Sequence, residues 1–171
     1  RLVGSEMCIR DRFETVATVT DTVFYAPASF QPDVADLQRL AIARVAPSKG
    51  AIALGLTTDV PVQSGLSGSS AILLATLRAL DTHLDLSLRP LEMAQIAWDI
   101  EREELGIVAG PQDRVIQALG GLQYMDFSGP DEIGTHEPLD PDLLPPLMHA
   151  CPTEPGTPTA HDHRPDGNRW S

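Results

Sequence analysis

The sequence predicts a domain in which strands and helices alternate, and three observations carry that prediction. Leu73, Leu77, Leu80 and Leu84 recur at helical spacing, with Ile72, Leu74 and Ala75 thickening the stripe. Two other segments read as strands: Phe13–Tyr25, rich in Val16, Thr18, Val19, Thr20 and Val23, and the short apolar run Ala51–Thr57. A glycine- and serine-rich stretch, Pro61-Val-Gln-Ser-Gly-Leu-Ser-Gly-Ser-Ser-Ala71, joins the second strand to the helix.

Taken in order, Arg1–Arg12 has mixed charge, no initiator methionine and no clean period. It resembles a translated sequencing-adaptor read-through and is set apart from the fold, the alternative being an authentic interior strand. Phe13–Tyr25 is a strand or extended segment, and Pro27–Pro32 is a loop. Asp33–Ala46 places Val34, Leu37, Leu40, Ala41, Arg44 and Val45 at helical spacing, with Asp33 suited to its start. Pro47–Gly50 breaks that helix. Ala51–Thr57 suits a buried strand, although periodicity alone leaves a helix open.

Past the long helix, Asp81–Pro90 reads as a polar connection. Leu91, Ala94, Ala97, Trp98 and Glu101 then follow a helical course, with Glu92 favourable in its first turn. Gly106–Pro111 interrupts, and Asp113–Leu119 forms a short helix with Val115, Ile116 and Leu119 expected inward. Gly120-Gly121 ends it, and Leu122–Phe127 is a strand. From Ser128 the character shifts. Beyond Met148 the chain is Pro, Thr, His, Asp and Gly with hardly an aliphatic residue, so residues 148–171 are expected to be disordered or out of frame. His161 and His163 there suggest at most a weak metal-binding tract.

Bulk properties narrow the function. The 171 residues have the length of one domain, and no apolar run approaches the roughly 18 residues of a membrane span. A formal charge of −12 argues against nucleic acid and anionic membrane surfaces as partners. Cys8 and Cys151 sit near opposite ends with no metal-ligand spacing, so neither a disulfide scaffold nor a zinc site is indicated. With no signal peptide to read, a cytoplasmic protein is the expectation; protein partners are not legible.

The Pro61–Ala71 stretch is the chemically suggestive one. Gly65 and Gly68 let the backbone adopt positive φ and approach a ligand, and Ser67, Ser69 and Ser70 offer hydroxyls and N-caps. A helix entered this way directs free N–H groups and the positive end of its dipole into the loop, which suits phosphate. The loop has no lysine and no Gly-Lys-Ser/Thr, so it is not a Walker motif.

Pro61, Gly65-Leu66 and Gly68-Ser69-Ser70-Ala71 resemble the ATP-binding loop of the GHMP kinases, whose usual form is Gly-Leu-Gly-Ser-Ser-Ala. Here Ser67 is an extra residue, a variant similar to the glucuronokinase branch. A second block, Glu104-Leu-Gly-Ile-Val-Ala-Gly-Pro-Gln-Asp-Arg-Val115, followed by Gly120-Gly121 and Met125-Asp126-Phe127, resembles the same branch. The resemblance runs from about Phe13 to Leu147, and Glu137–Leu147 is similar to the family stretch where a turn leads to another strand. It implies an α+β fold like domain 2 of ribosomal protein S5, with residues 13–147 forming a partial N-terminal domain. Family members carry an earlier segment and a second domain, neither of which is visible here.

The resemblance also implies roles. Pro61, Gly65, Leu66, Ser67, Gly68, Ser69, Ser70 and Ala71 would cradle ATP. Ser70 and a carboxylate would ligate Mg²⁺. Glu101 is the choice because it precedes Asp113 by twelve residues, as in galactokinase-type members. Glu103 and Glu104 crowd the same turn; Glu104 is the runner-up, and any of the three suits a solvated face. Asp113 matches the catalytic aspartate, although aspartate at that point is equally at home as a helix N-cap. Arg114 would hold a substrate anion or form a surface ion pair. The implied partners are ATP and a small sugar or sugar acid, with glucuronate the most specific acceptor. The alternatives are a heptose or galactose kinase, or a non-catalytic fragment or pseudokinase.

Overall fold

The computed structural model describes residues 15–20, 34–47, 52–58, 60, 65–107 and 109–145. Expectations for residues 1–12, the tail past Met148, both cysteines and the His161/His163 tract lie outside the described residues. The elements run β1 (Thr15–Thr20), α1 (Val34–Val45), β2 (Ala53–Thr58), α2 (Gly68–Leu84), α3 (Pro90–Asp99), a π-helical turn (Ile100–Glu104), α4 (Gln112–Leu119), β3 (Leu122–Asp126) and β4 (Thr135–Leu139). A 3₁₀ turn comes next at Pro141–Leu143. Both strand pairs are antiparallel: β1 lies on β2 with Thr15 opposite Thr58, and β3 lies on β4 with Leu122 opposite Leu139. Among the described residues, antiparallel pairs combined with α-helices make the fold α+β, as expected.

Helix α2 is the packing axis. Its leucine stripe, Leu73, Leu74, Leu77 and Leu80, is fully buried against Leu37 and Ala41 of α1, Met93, Ala94 and Ala97 of α3, and Val115 and Ala118 of α4. On another face the small residues Ala75 and Ala79 meet Leu56 of β2. Their lack of bulk lets the sheet approach the helix closely. The helix is thus enclosed by its neighbours, which fixes the position of its N-terminal loop. Arg78, midway along it, donates to the carbonyls of Gln117 (2.6 Å) and Ala118 (3.1 Å), closing the C-terminal turn of α4 and tying the two helices together.

Helix α2 runs on to Leu84 rather than giving way at Asp81. Asp85 takes the left-handed conformation (φ 53°) and donates to the Asp81 carbonyl, while the Asp81 carboxylate accepts the N–H of Leu88 at 2.8 Å. The polar residues from Asp81 onward are therefore helix-terminating groups as much as linker. Helix α3 starts with Pro90 in its first turn, and Glu92 reaches back to the backbone N–H of Arg89 (2.8 Å) and to its guanidinium (2.7 Å). Those contacts, the Arg89 side chain first, hold the Glu92 carboxyl below its ordinary value. A lowered carboxylate contributes stability above its unfolded value and loses it as pH falls through the folded one. Glu92→Gln is therefore expected to lower stability slightly at neutral pH and to converge with the wild type as pH falls through the folded value of Glu92, as measured by urea titration at stepped pH.

One more expectation is corrected. Val115 and Ile116 are buried, but Leu119, the last residue of α4, is 36% exposed. It lines an open cleft of about 430 Å³ with Arg89, Leu91 and Ile133. Strand β4 (Thr135–Leu139), largely exposed with Pro138 opposite Gln123, precedes the turn expected within Glu137–Leu147, which is the 3₁₀ turn at Pro141–Leu143; a strand after that turn lies outside the described residues. Among the described residues no helix is long and apolar enough to cross a membrane.

Candidate functional site

The glycine-serine stretch does open a helix. Gly65 is exposed with φ 74°. The second left-handed residue is Ser67 (φ 55°, ψ 39°), not Gly68, which already belongs to α2. A side chain in that region costs about 1–2 kcal/mol that glycine would not. Ser67 occupies the N-cap position without capping: its hydroxyl accepts nothing from the first turn. The Ser67 carbonyl accepts the first helical bond, from Ala71 N–H at 3.0 Å. The N–H groups of Gly68, Ser69 and Ser70 precede it and have no partner within the helix. Ser69 is partly exposed, whereas Ser70 and Ala71 are buried. The Ser70 hydroxyl has no hydrogen-bond partner among the described residues. Leu66 is half-buried, and Pro61 lies outside the described residues.

The acidic turn after α3 sorts its three glutamates by geometry. Leu105 N–H bonds the Ile100 carbonyl at 3.2 Å, a five-residue step that widens the helix into a π turn. Such turns are frequent at functional sites. Here the turn buries Glu101 completely. The side chains of Glu103 and Glu104 remain 50% and 30% exposed and reach Arg44 at 3.3 and 3.5 Å. They form a solvated ion-pair face, while Glu101 faces the interior.

Glu101 is paired with Arg114. The guanidinium Nε and Nη2 both converge on the same oxygen, Oε2, in a short, buried contact, and Nη1 donates to the Gly110 carbonyl at 3.0 Å. The other carboxylate oxygen, Oε1, is buried with no hydrogen-bond partner among the described residues. Arg114 is thus held inside the domain instead of being offered to solvent, unlike the substrate clamp or surface pair its sequence suggested. Trp98 steadies the preceding segment by donating to the Ala109 carbonyl at 2.7 Å, and Arg102 covers the Trp98 ring at 4.4 Å.

Asp113 is not the N-cap of α4. That position is Pro111, and Asp113 is the second residue of the helix with a side chain 44% exposed. Its carboxylate stands 3.9 Å from Arg114 Nη1. One turn further, the Gln117 amide donates to the Ser67 carbonyl at 3.1 Å. Residues four apart on a helix share a face, so Asp113 lies on the side of α4 that carries Gln117. Nothing in the sequence singles out Gln117 beyond its place four residues after Asp113.

Two of the oxygens expected to ligate a metal are without partners among the described residues. Ser70 Oγ and Glu101 Oε1 are two buried oxygens, each lacking a partner among the described residues. Magnesium takes one or two protein oxygens and completes its shell with phosphate and water. Among the described residues no group of three or more His, Cys, Asp or Glu could hold a metal ion. The open cleft beside Leu119 contains none of the loop residues, nor Glu101 or Asp113.

The fold and loop define an α+β domain with a glycine- and serine-rich helix start. Residues 34–121 match the family model described as GHMP kinases N terminal domain. The chain belongs to the GHMP kinase family. It is 48% identical to glucuronokinase 1 of Arabidopsis thaliana over 102 residues, which is 55% of this chain and 27% of that protein. It is 44% identical over 70 residues to D-glycero-alpha-D-manno-heptose 7-phosphate kinase of Campylobacter jejuni, covering 41% of this chain and 21% of that one. Among solved structures, a D-glycero-D-manno-heptose 1-phosphate kinase from Bacteroides thetaiotaomicron superposes with a TM-score of 0.60 at 26% identity, over 72% of this chain and 47% of that one. The chain spans less than a third of the length of the two curated relatives, 27% and 21% respectively.

Proposed function

We propose that the chain carries the phosphate-gripping part of a cytoplasmic, ATP-dependent sugar kinase. The acceptor we favour is glucuronate, phosphorylated at the anomeric hydroxyl to glucuronate 1-phosphate. The observation behind this reading is the Gln117–Ser67 bond, which ties the helix that carries Asp113 to the start of α2 and supports a cleft between them. In the proposed reaction Asp113 accepts the anomeric proton as that oxygen attacks the γ-phosphorus of ATP, and ADP leaves. The unpaired N–H groups of Gly68, Ser69 and Ser70 offset the charge gathering on the phosphate oxygens. Ser70 and Glu101 would hold Mg²⁺, which when bound neutralises phosphate charge. Likeness to a plant glucuronokinase favours the sugar acid, and likeness to two heptose kinases supports a heptose phosphate as the second reading.

Asp113→Asn is expected to lower phosphoryl transfer by roughly 10²–10⁴-fold while an ATP analogue still binds near wild-type strength. A panel of glucuronate, heptose phosphates and galactose, assayed by ADP release, separates the acceptors. Wild-type turnover in the Asp113→Asn protein would remove the aspartate from the mechanism.

A further inference from the structure

We infer that Arg114 is a positioning residue that confines Glu101 to ligation through a single oxygen and thereby sets the domain's preference for Mg²⁺ over Ca²⁺. The inference rests on the proposed nucleotide-and-metal reading of the loop and deepens it. Its basis is the asymmetry of the buried pair. A guanidinium meeting a carboxylate commonly places one N–H on each oxygen. Here Nε and Nη2 both fall on Oε2, while Oε1 has no partner among the described residues. The guanidinium is itself fixed: Nη1 is bonded to the Gly110 carbonyl, and the Gly110 turn is steadied through Trp98 and Ala109. One oxygen of Glu101 is therefore occupied by a cation that belongs to the fold, and one remains available.

This division matters for metal choice. Ca²⁺ takes six to eight oxygens at longer distances and readily accepts both oxygens of one carboxylate. Mg²⁺ demands near-octahedral geometry and is satisfied by one oxygen per carboxylate, with water and phosphate supplying the rest. A carboxylate with one oxygen pinned by arginine offers Mg²⁺ everything it uses and withholds from Ca²⁺ the second oxygen it prefers. Lysine at 114 would keep the positive charge without the rigid planar fork, leaving the carboxylate free to turn and present both oxygens.

The test uses the whole chain with a non-hydrolysable ATP analogue and Mn²⁺ as a paramagnetic reporter. Electron paramagnetic resonance follows displacement of Mn²⁺ by Mg²⁺ and by Ca²⁺. In the wild type Mg²⁺ should be the better competitor. In a folded Arg114→Lys protein, with native circular dichroism and a cooperative melt, the ratio should move toward Ca²⁺ by about tenfold, the scale on which groups supporting a ligand affect metal affinity. An unmoved ratio in folded Arg114→Lys overturns the inference, because a pair that serves only packing would change the melt and not the metal preference.

A second measurement needs no variant. With ¹³C-labelled glutamate, the infrared difference spectrum on Mg²⁺ addition should widen the separation of the two carboxylate stretches, the mark of one-oxygen ligation. A narrowed separation, the mark of two-oxygen ligation, also overturns the inference. If the wild-type chain binds no nucleotide analogue at all, the kinase reading falls and this inference with it. If nucleotide binds and the metal ratio stays fixed, only the role of Arg114 is lost.

Discussion

Replacing Glu101 with alanine is expected to cost about 3–5 kcal/mol of folding stability, the range found when one partner of a buried ion pair is removed. The Arg114 side chain is 4% exposed, and its Nε and Nη2 both rely on Glu101. Without that carboxylate, a guanidinium stays in the interior with the Gly110 carbonyl and a distant Asp113 to compensate. Glu101→Leu combined with Arg114→Met should recover most of the loss, because replacing both charges with apolar groups of similar volume avoids the desolvation cost altogether. Equilibrium urea denaturation measures both proteins. A loss below about 1 kcal/mol for Glu101→Ala would be that of a solvated pair and would contradict the burial of this carboxylate.

The second large effect is expected at Leu77. This residue sits in the middle of α2, is fully buried, and belongs to the cluster that joins α1, α3 and α4. Leu77→Ala removes its methyl groups from the helix on which those three pack, and should cost about 2–5 kcal/mol, depending on how far the neighbours relax into the space. Because the loop amides are held by the same helix, nucleotide binding should weaken with the melt and not ahead of it. Leu143→Ala, at a position 68% exposed, is the control and should stay within about 0.5 kcal/mol of the wild type.

Much of this architecture is legible in the sequence because it rests on repeating patterns. The leucine stripe of α2 and the apolar face of α3 announce themselves through a 3.6-residue period, and the Val- and Thr-rich β1 shows its branched side chains. The loop is legible because glycine and serine at a helix start have a specific electrostatic meaning. The concealed features depend on contacts between distant positions. Glu101 and Arg114 are each ordinary on a helix surface; only tertiary packing brings them together in the interior. Nothing in the sequence marks Gln117, whose bond to Ser67 joins positions fifty residues apart. Glycine tolerates positive φ best, which points to Gly68 as the left-handed residue, yet the chain puts Ser67 there and keeps Gly68 helical. Strand β4 lacks alternation, carries Pro138 and pairs on one side with β3, so no apolar pattern marks it.

The π turn at Ile100–Glu104 also fixes the spacing of this segment. Each residue added to or removed from a helical stretch rotates all later positions by about 100° around the axis. A single insertion or deletion between Trp98 and Glu101 would therefore carry Glu101 out of the interior and bring a neighbouring side chain in. Alignments that slide Glu103 or Glu104 into its column would match letters of the same kind while misplacing the only carboxylate of the three that faces inward. Length, as much as chemical identity, is the property this part of the chain has to preserve.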